Sequence, residues 1–309
     1  MRHHLDSAAD GNDRKAPLPG TEFQDHNDVE RLADALLAAI EEGAEADTSA
    51  ADAPNDLISG AAFAFRRIAI EFVRRYNRLE VTSEATTPDD PVLFVANHGF
   101  GGIFDLNVFA VAATLEQLAL EREVTILTHQ LAWTLRVGSL IEPIGARPAN
   151  QQSAQEAFAR GDHVAVFPGG DIDSAKSWDD RNVIKFDGRA GFARLAIEAG
   201  VPIVPIVTAG AGESLFVISS GERLARALRL DKLLRLKSAP ISVSLPWGIN
   251  VGAVGLLPYL PLPTKLVTRV LPAMSASEGE DADEYAARVQ AAMQDALTDM
   301  TATRTPLIG

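Results

Sequence analysis

The chain has 309 residues, 47% of them hydrophobic, enough apolar material for one large domain with appendages. It has no cysteine, which excludes disulfides and thiolate metal or redox centres, and its six histidines form no i, i+4 metal-binding pair. The net charge is −14, and the lack of a basic motif interleaved with aromatics argues against nucleic acid as the main ligand.

Ten of those negative charges belong to residues 1–56, where fourteen acids face Arg2, Arg14, Lys15 and Arg31. This Ala-, Asp- and Glu-rich stretch predicts a mostly disordered acidic arm. One short helical pattern (Val29, Leu32, Leu36, Ile40) is stopped by Gly43. Polar residues from Arg2 to Lys15 leave no apolar core for a signal peptide, and the sequence predicts a cytoplasmic protein.

From residue 57 the pattern changes. Ile58, Ala61, Phe65, Ile68, Phe72, Tyr76 and Leu79 recur at spacings of three and four, which predicts an amphipathic helix over 57–79. Arginines 66, 67, 74, 75 and 78 lie mostly off that stripe. Short apolar runs at 92–96, 124–128, 163–167, 203–207 and 241–245 read as strands. Helical patterns fill 105–122, 130–140, 151–160, 188–199, 221–236 and 282–300. Continuous apolar strands alternating with helices predict an α/β domain, a mainly parallel sheet flanked by helices, over 57–274. Residues 275–309 are then a C-terminal helix and tail, with an apolar stripe at Tyr285, Val289, Met293, Ala296 and Met300.

Residues 238–264 carry no charge, yet Pro240, Pro246, Pro258, Pro261 and Pro263 rule out one continuous helix. A buried strand followed by an interfacial loop is the expected form. Together with the arginine-bearing 57–79 helix and its Phe63, Phe65 and Phe72, it makes peripheral membrane contact an expectation. The alternative for the helix is plain packing on the sheet.

Chemistry concentrates after the 92–96 run, in Asn97-His98-Gly99-Phe100-Gly101-Gly102-Ile103-Phe104-Asp105. Ligands of α/β proteins sit where strands end in Gly-rich loops. Imidazole is the side chain suited to take a hydroxyl proton near neutral pH, and a carboxylate can orient it. Two readings stay open here: His98 as general base oriented by Asp105, or a loop histidine beside a helix N-cap. A dinucleotide fingerprint fails, because Phe104 stands where a small residue is required.

Phe167-Pro168-Gly169-Gly170 ends another apolar run and is either an anion-binding turn or an ordinary strand–helix turn. Arg147, in Gly145-Ala146-Arg147, is either a clamp for an acidic head group or a surface residue.

Taken in order, NHGFGGIFD (97–105), GAR (145–147), FPGG (167–170) and VPIVPI (201–206) resemble the blocks of the phospholipid/glycerol acyltransferase superfamily, home of the lysophosphatidate acyltransferases. The resemblance spans about residues 90–210. It implies a glycerolipid acyltransferase-like fold, and transfer of a fatty acyl group from acyl-CoA or acyl carrier protein to a lipid acceptor's hydroxyl, without cofactor or metal. By the resemblance His98 is the general base, Asp105 orients it, and Arg147 with Pro168, Gly169 and Gly170 binds the acceptor. It also implies a place at the inner face of a membrane. Two positions depart from the family pattern. Six residues separate His98 from Asp105 where four are usual, and Gly169 replaces the usual Glu. The Gly-Gly form is more like the diacylglycerol and neutral-lipid branches. A lipid-binding protein without catalysis is the remaining alternative.

Overall fold

The computed structural model describes residues 53–100, 105–128, 138–230, 237–252 and 259–309. Nearly all of the expected acidic arm lies outside these residues. So do Gly101 and Gly102, most of the expected 130–140 helix, residues 231–236 and residues 253–258.

In chain order the elements are helix α1 (Ala53–Arg75), strands β1 (Glu80–Ser83) and β2 (Leu93–Ala96), α2 (Leu106–Gln117), β3 (Val124–Thr128), the one-turn α3 (Gly138–Ile141), β4 (Ala146–Pro148), α4 (Gln151–Arg160), β5 (His163–Val166) and the short α5 (Gly170–Ser174). There follow α6 (Gly191–Ala199), β6 (Ile203–Ala209), β7 (Phe216–Ser219), α7 (Glu222–Ala227), β8 (Ile241–Ser244), β9 (Gly248–Val251), β10 (Val267–Val270) and α8 (Ala282–Thr301).

Seven strands form one sheet in the order β1-β10-β6-β2-β5-β3-β4. All its pairings are parallel except β10 with β6. The sheet is therefore mainly parallel, and its central strands alternate between two cores. Leu93 and Val95 of β2 enter one cluster with Val164, Ile203 and Val207, while Phe94 and Ala96 enter another with Ala165, Val204 and Ile206. Burial on both faces is why these strands read as unbroken apolar runs. Helices α6 and α8 cover the first face, where Tyr285, Val289 and Met293 are fully buried; α2 covers the second.

The structure corrects the sequence at several points. The run at 241–245 is not in this sheet: β8 lies between β7 and β9 in a separate antiparallel three-stranded sheet. Its Ile-Ser-Val-Ser alternation is the period of a strand with one buried face, with Ser242 and Ser244 inward. Strands β1, β4 and β10 escaped sequence detection because they are short and polar (EVTS, ARP, VTRV). In α1 the buried residues are Ala62, Ala69, Ile70 and Val73, whereas Ala61 and Phe65 of the expected stripe are exposed. Ile70 and Val73 pack on Leu106, Ala110 and Ala113 of α2.

Candidate active site

Strand β2 is central, between β6 and β5, and its carboxyl end delivers Asn97 and His98. Asn97 is buried and acts as a latch. Its Nδ2 donates to the Thr208 carbonyl at 3.1 Å, its Oδ1 accepts the Thr208 N–H at 2.9 Å, and its own carbonyl accepts from Asn107 Nδ2 at 2.6 Å. These bonds tie the ends of β2 and β6 and the start of α2 together, so the backbone entering His98 is fixed before the side chain contributes.

His98 Nδ1 lies 2.7 Å from Oδ2 of Asp105. Asp105 is the N-cap of α2, its Oδ1 accepting the N–H groups of Asn107 at 3.0 Å and Val108 at 3.4 Å. One carboxylate thus serves both as the helix cap and as the partner of the histidine ring. A carboxylate accepting from Nδ1–H leaves Nε2 as the acceptor of the ring, the form a general base requires.

The Phe167–Gly170 turn comes to the same place. The Phe167 ring lies 4.8 Å from the His98 ring, tilted by 32°. The Gly170 N–H is used inside the turn, donating to the Phe167 carbonyl at 3.3 Å. Arg189 clamps the turn from outside, its guanidinium donating to the carbonyls of Pro168 and Gly169 and to Asp171. A side chain at Gly169 would collide with Cβ of Asp173 and the Lys185 carbonyl, so this position is Gly where the family's usual residue would not fit.

The reason lies in two residues that sequence reasoning missed. Asp173 is completely buried, and its Oδ2 accepts the backbone N–H of His98 at 2.7 Å. Its Oδ1 accepts from Lys176 Nζ at 2.8 Å and from the Lys185 N–H at 2.9 Å. Lys176, also buried, spends its other donors on the carbonyls of His98 at 2.9 Å and Val183 at 3.0 Å. The pair thus grips the peptide groups on both sides of the His98 α-carbon. In sequence, Asp-Ile-Asp-Ser-Ala-Lys reads as a polar turn, and nothing in its spacing marks two of its charges as buried.

Arg147 is apart from this cluster. It lies on the edge strand β4, three strands from β2, or about 14 Å at the usual strand spacing. Its Nη1 donates to the carbonyls of Glu142 and Ala146 at 3.0 and 2.7 Å. On the other side of the site, Phe100 meets Tyr259 edge-on at 6.1 Å and packs with Leu215 and Val217. Burial, and then the negative charge of Asp105, push the Tyr259 phenol well above its ordinary value, so it stays protonated.

Residues 78–209 match the sequence family described as Acyltransferase. An uncharacterized protein of Mycobacterium tuberculosis (strain ATCC 25618 / H37Rv) is 32% identical over 196 residues, which is 63% of this chain and 51% of that protein. A Gallus gallus protein named DGAT1/2-independent enzyme synthesizing storage lipids is 24% identical over 226 residues, 73% of this chain and 60% of its own. The chain therefore spans about half the length of the mycobacterial relative it matches. Among solved structures, the 1-acyl-sn-glycerophosphate (LPA) acyltransferase PlsC of Thermotoga maritima aligns with 79% of this chain and 83% of its own, at a TM-score of 0.46 and 16% identity. The span that matches the Acyltransferase family holds the His98–Asp105 pair, Arg147 and the Gly169–Gly170 turn, and this match supports the resemblance to the phospholipid/glycerol acyltransferase superfamily.

Proposed function

We propose that the protein transfers a fatty acyl group from a thioester, acyl-CoA or acyl carrier protein, to the hydroxyl of a glycerolipid. The observation that carries this reading is the 2.7 Å contact between His98 Nδ1 and Asp105 inside the family-matched span. His98 Nε2 takes the acceptor's hydroxyl proton while the oxygen attacks the thioester carbonyl. The tetrahedral adduct then collapses, the C–S bond breaks, and the leaving thiolate recovers the proton from His98. A positioned general base contributes about 10²–10⁴ in rate. The rest of the acceleration comes from holding two substrates in line beside the Phe167–Gly170 turn. Arg147 binds the acceptor's acidic head group in this reading, and the acceptor reaches the site from a membrane to which the protein attaches peripherally, on the cytoplasmic side.

A second reading, acyl transfer to a neutral lipid such as a diacylglycerol, is favoured by Gly169 and by the storage-lipid synthesis for which the Gallus gallus relative is named. A binding protein without catalysis would have no need of an aligned His–carboxylate pair, which argues against that alternative.

One experiment tests all three. Purified protein is incubated with labelled acyl-CoA, or acylated carrier protein, and a panel of lysophospholipid and diacylglycerol acceptors. Labelled product lipid is expected, its identity naming the acceptor, and its formation should vanish in His98→Ala. No product with any donor and acceptor, from a folded protein, overturns the enzyme reading.

A further inference from the structure

The three-stranded sheet is built inside out. Val217, Ser242 and Ser244 are buried, while Phe216, Ile218, Val243, Ile249 and Val251 point to solvent; Ile249 is 74% exposed and Val251 54%. The register makes this one surface, because Phe216 pairs with Val243 and Val243 with Ile249, and Ile241 pairs with Val251. Trp247 stands exposed at the turn between β8 and β9. Of the fourteen large apolar side chains exposed among the described residues, nine fall between residues 216 and 260. An antiparallel sheet with one face in water places its polar residues on that face, and this one does the opposite.

We propose that this outer face of β7, β8 and β9 is the surface by which the protein lies on an anionic lipid bilayer. The proposal rests on the reading of the chain as a peripheral membrane protein and names the part that touches lipid. Charge decides the occupant. In a chain of net charge −14, residues 214–264 hold six basic residues and only two acids, and 238–264 hold no charge at all. Arg223, Arg226 and Arg229, between β7 and β8, are all exposed. Apolar insertion flanked by cations is the pattern that binds a negatively charged interface, and tryptophan favours the head-group level.

The location fits the chemistry. The sheet's inner side packs Leu215 and Val217 on Phe100, two residues from His98, with Tyr259 beside them. Phe216 also meets Trp178 at 5.4 Å. A bilayer against the outer face thus lies about one sheet layer, ~10 Å, from the catalytic loop. An apolar cleft of about 180 Å³ beside Phe216, Val243, Leu245 and Leu260 opens at this sheet.

The test uses the full chain and vesicles of phosphatidylcholine with or without phosphatidylglycerol. The parent should float with the phosphatidylglycerol vesicles. The double variant Ile249→Thr/Val251→Thr, which keeps β-branching in the strand, should lose vesicle partitioning about tenfold or more with its unfolding temperature unchanged. If the double variant is too unstable to measure, quenching by bromine-labelled lipid decides: quenching in the parent that is reduced in Trp247→Phe supports the proposal, and equal quenching in both overturns it. A double variant that floats like the parent, with loss confined to Phe63→Ser, moves the contact to α1: it overturns the proposal and leaves the membrane reading standing. A parent that floats with neither vesicle removes both. A dimeric parent made monomeric by the double variant overturns the proposal in favour of a second copy of the chain.

Discussion

Asp105 divides its carboxylate between two tasks: Oδ2 holds His98 Nδ1 at 2.7 Å, and Oδ1 caps α2 through Asn107 and Val108. Asparagine caps helices as well as aspartate does, so Asp105→Asn removes only the first task. Its amide N–H facing Nδ1 puts the ring proton on Nε2, where a base is needed. Turnover should fall by about 10²–10⁴ with stability changed by about 1 kcal/mol or less. His98→Ala should cost at least as much, and the double variant little more, because the two act as a unit. Steady-state rates and thermal unfolding check this; full activity in Asp105→Asn reduces Asp105 to a cap.

The grip of Asp173 and Lys176 on the His98 backbone gives a second expectation. Lys176→Met leaves a buried carboxylate without its cation and should cost about 3–5 kcal/mol of stability. It also frees the His98 carbonyl, so the surviving folded protein should lose kcat while the acceptor's KM stays within about twofold, as a lost transition-state interaction requires. Rates normalised to folded protein that equal the parent's make the pair purely structural.

Arg147 separates the two acceptor classes. If the acceptor carries a phosphate, Arg147→Lys should raise the acceptor's KM, because lysine cannot reproduce the planar two-point fork. With a neutral acceptor the same variant should be silent. An unchanged KM for a phosphate-bearing acceptor in Arg147→Ala removes the head-group role.

Two buried groups set the response to acid. Burial, and then the charge of Arg122, lower His163 below its ordinary 6.5, with Asp162 opposing in part. Burial alone would raise Glu213, but hydrogen bonds from Arg304, the Leu307 N–H and Thr264 outweigh it and hold the carboxyl below its ordinary 4.5. Each group binds fewer protons folded than unfolded, so its contribution is complete above the ordinary value and declines as pH falls. The His163 loss should begin below pH 6.5 and the Glu213 loss below 4.5. Glu213→Gln should lower stability at neutral pH, by stranding Arg304, and flatten the second decline. Unfolding temperatures across pH in parent and variant measure both.

Much of this was legible in the sequence. The Asn97-His98…Asp105 and Phe167–Gly170 blocks, seventy residues apart, meet at ring-to-ring distance because apolar runs placed each at the end of a neighbouring strand. The buried Asp173–Lys176 pair was illegible, since a charge's burial depends on backbone brought from elsewhere. Ala61 and Phe65 misled in the other direction: their spacing put them on the expected buried stripe of α1, while the helix buries Ala62 and Ala69 instead. The strand at 241–244 was found but put in the wrong sheet, because serines facing inward imitate a solvent face.

Strand β1 has one consequence for how the chain is made. Glu80 faces Val267, and among the described residues β10 is the only neighbour of β1 in the sheet. During synthesis at about 5–20 residues per second, the stretch 80–83 emerges roughly ten to forty seconds before its partner exists. The apolar flank of β6 stays bare for longer still, until α8 has left the ribosome and covered it. The nascent protein therefore cannot close this sheet progressively from its amino-terminal side.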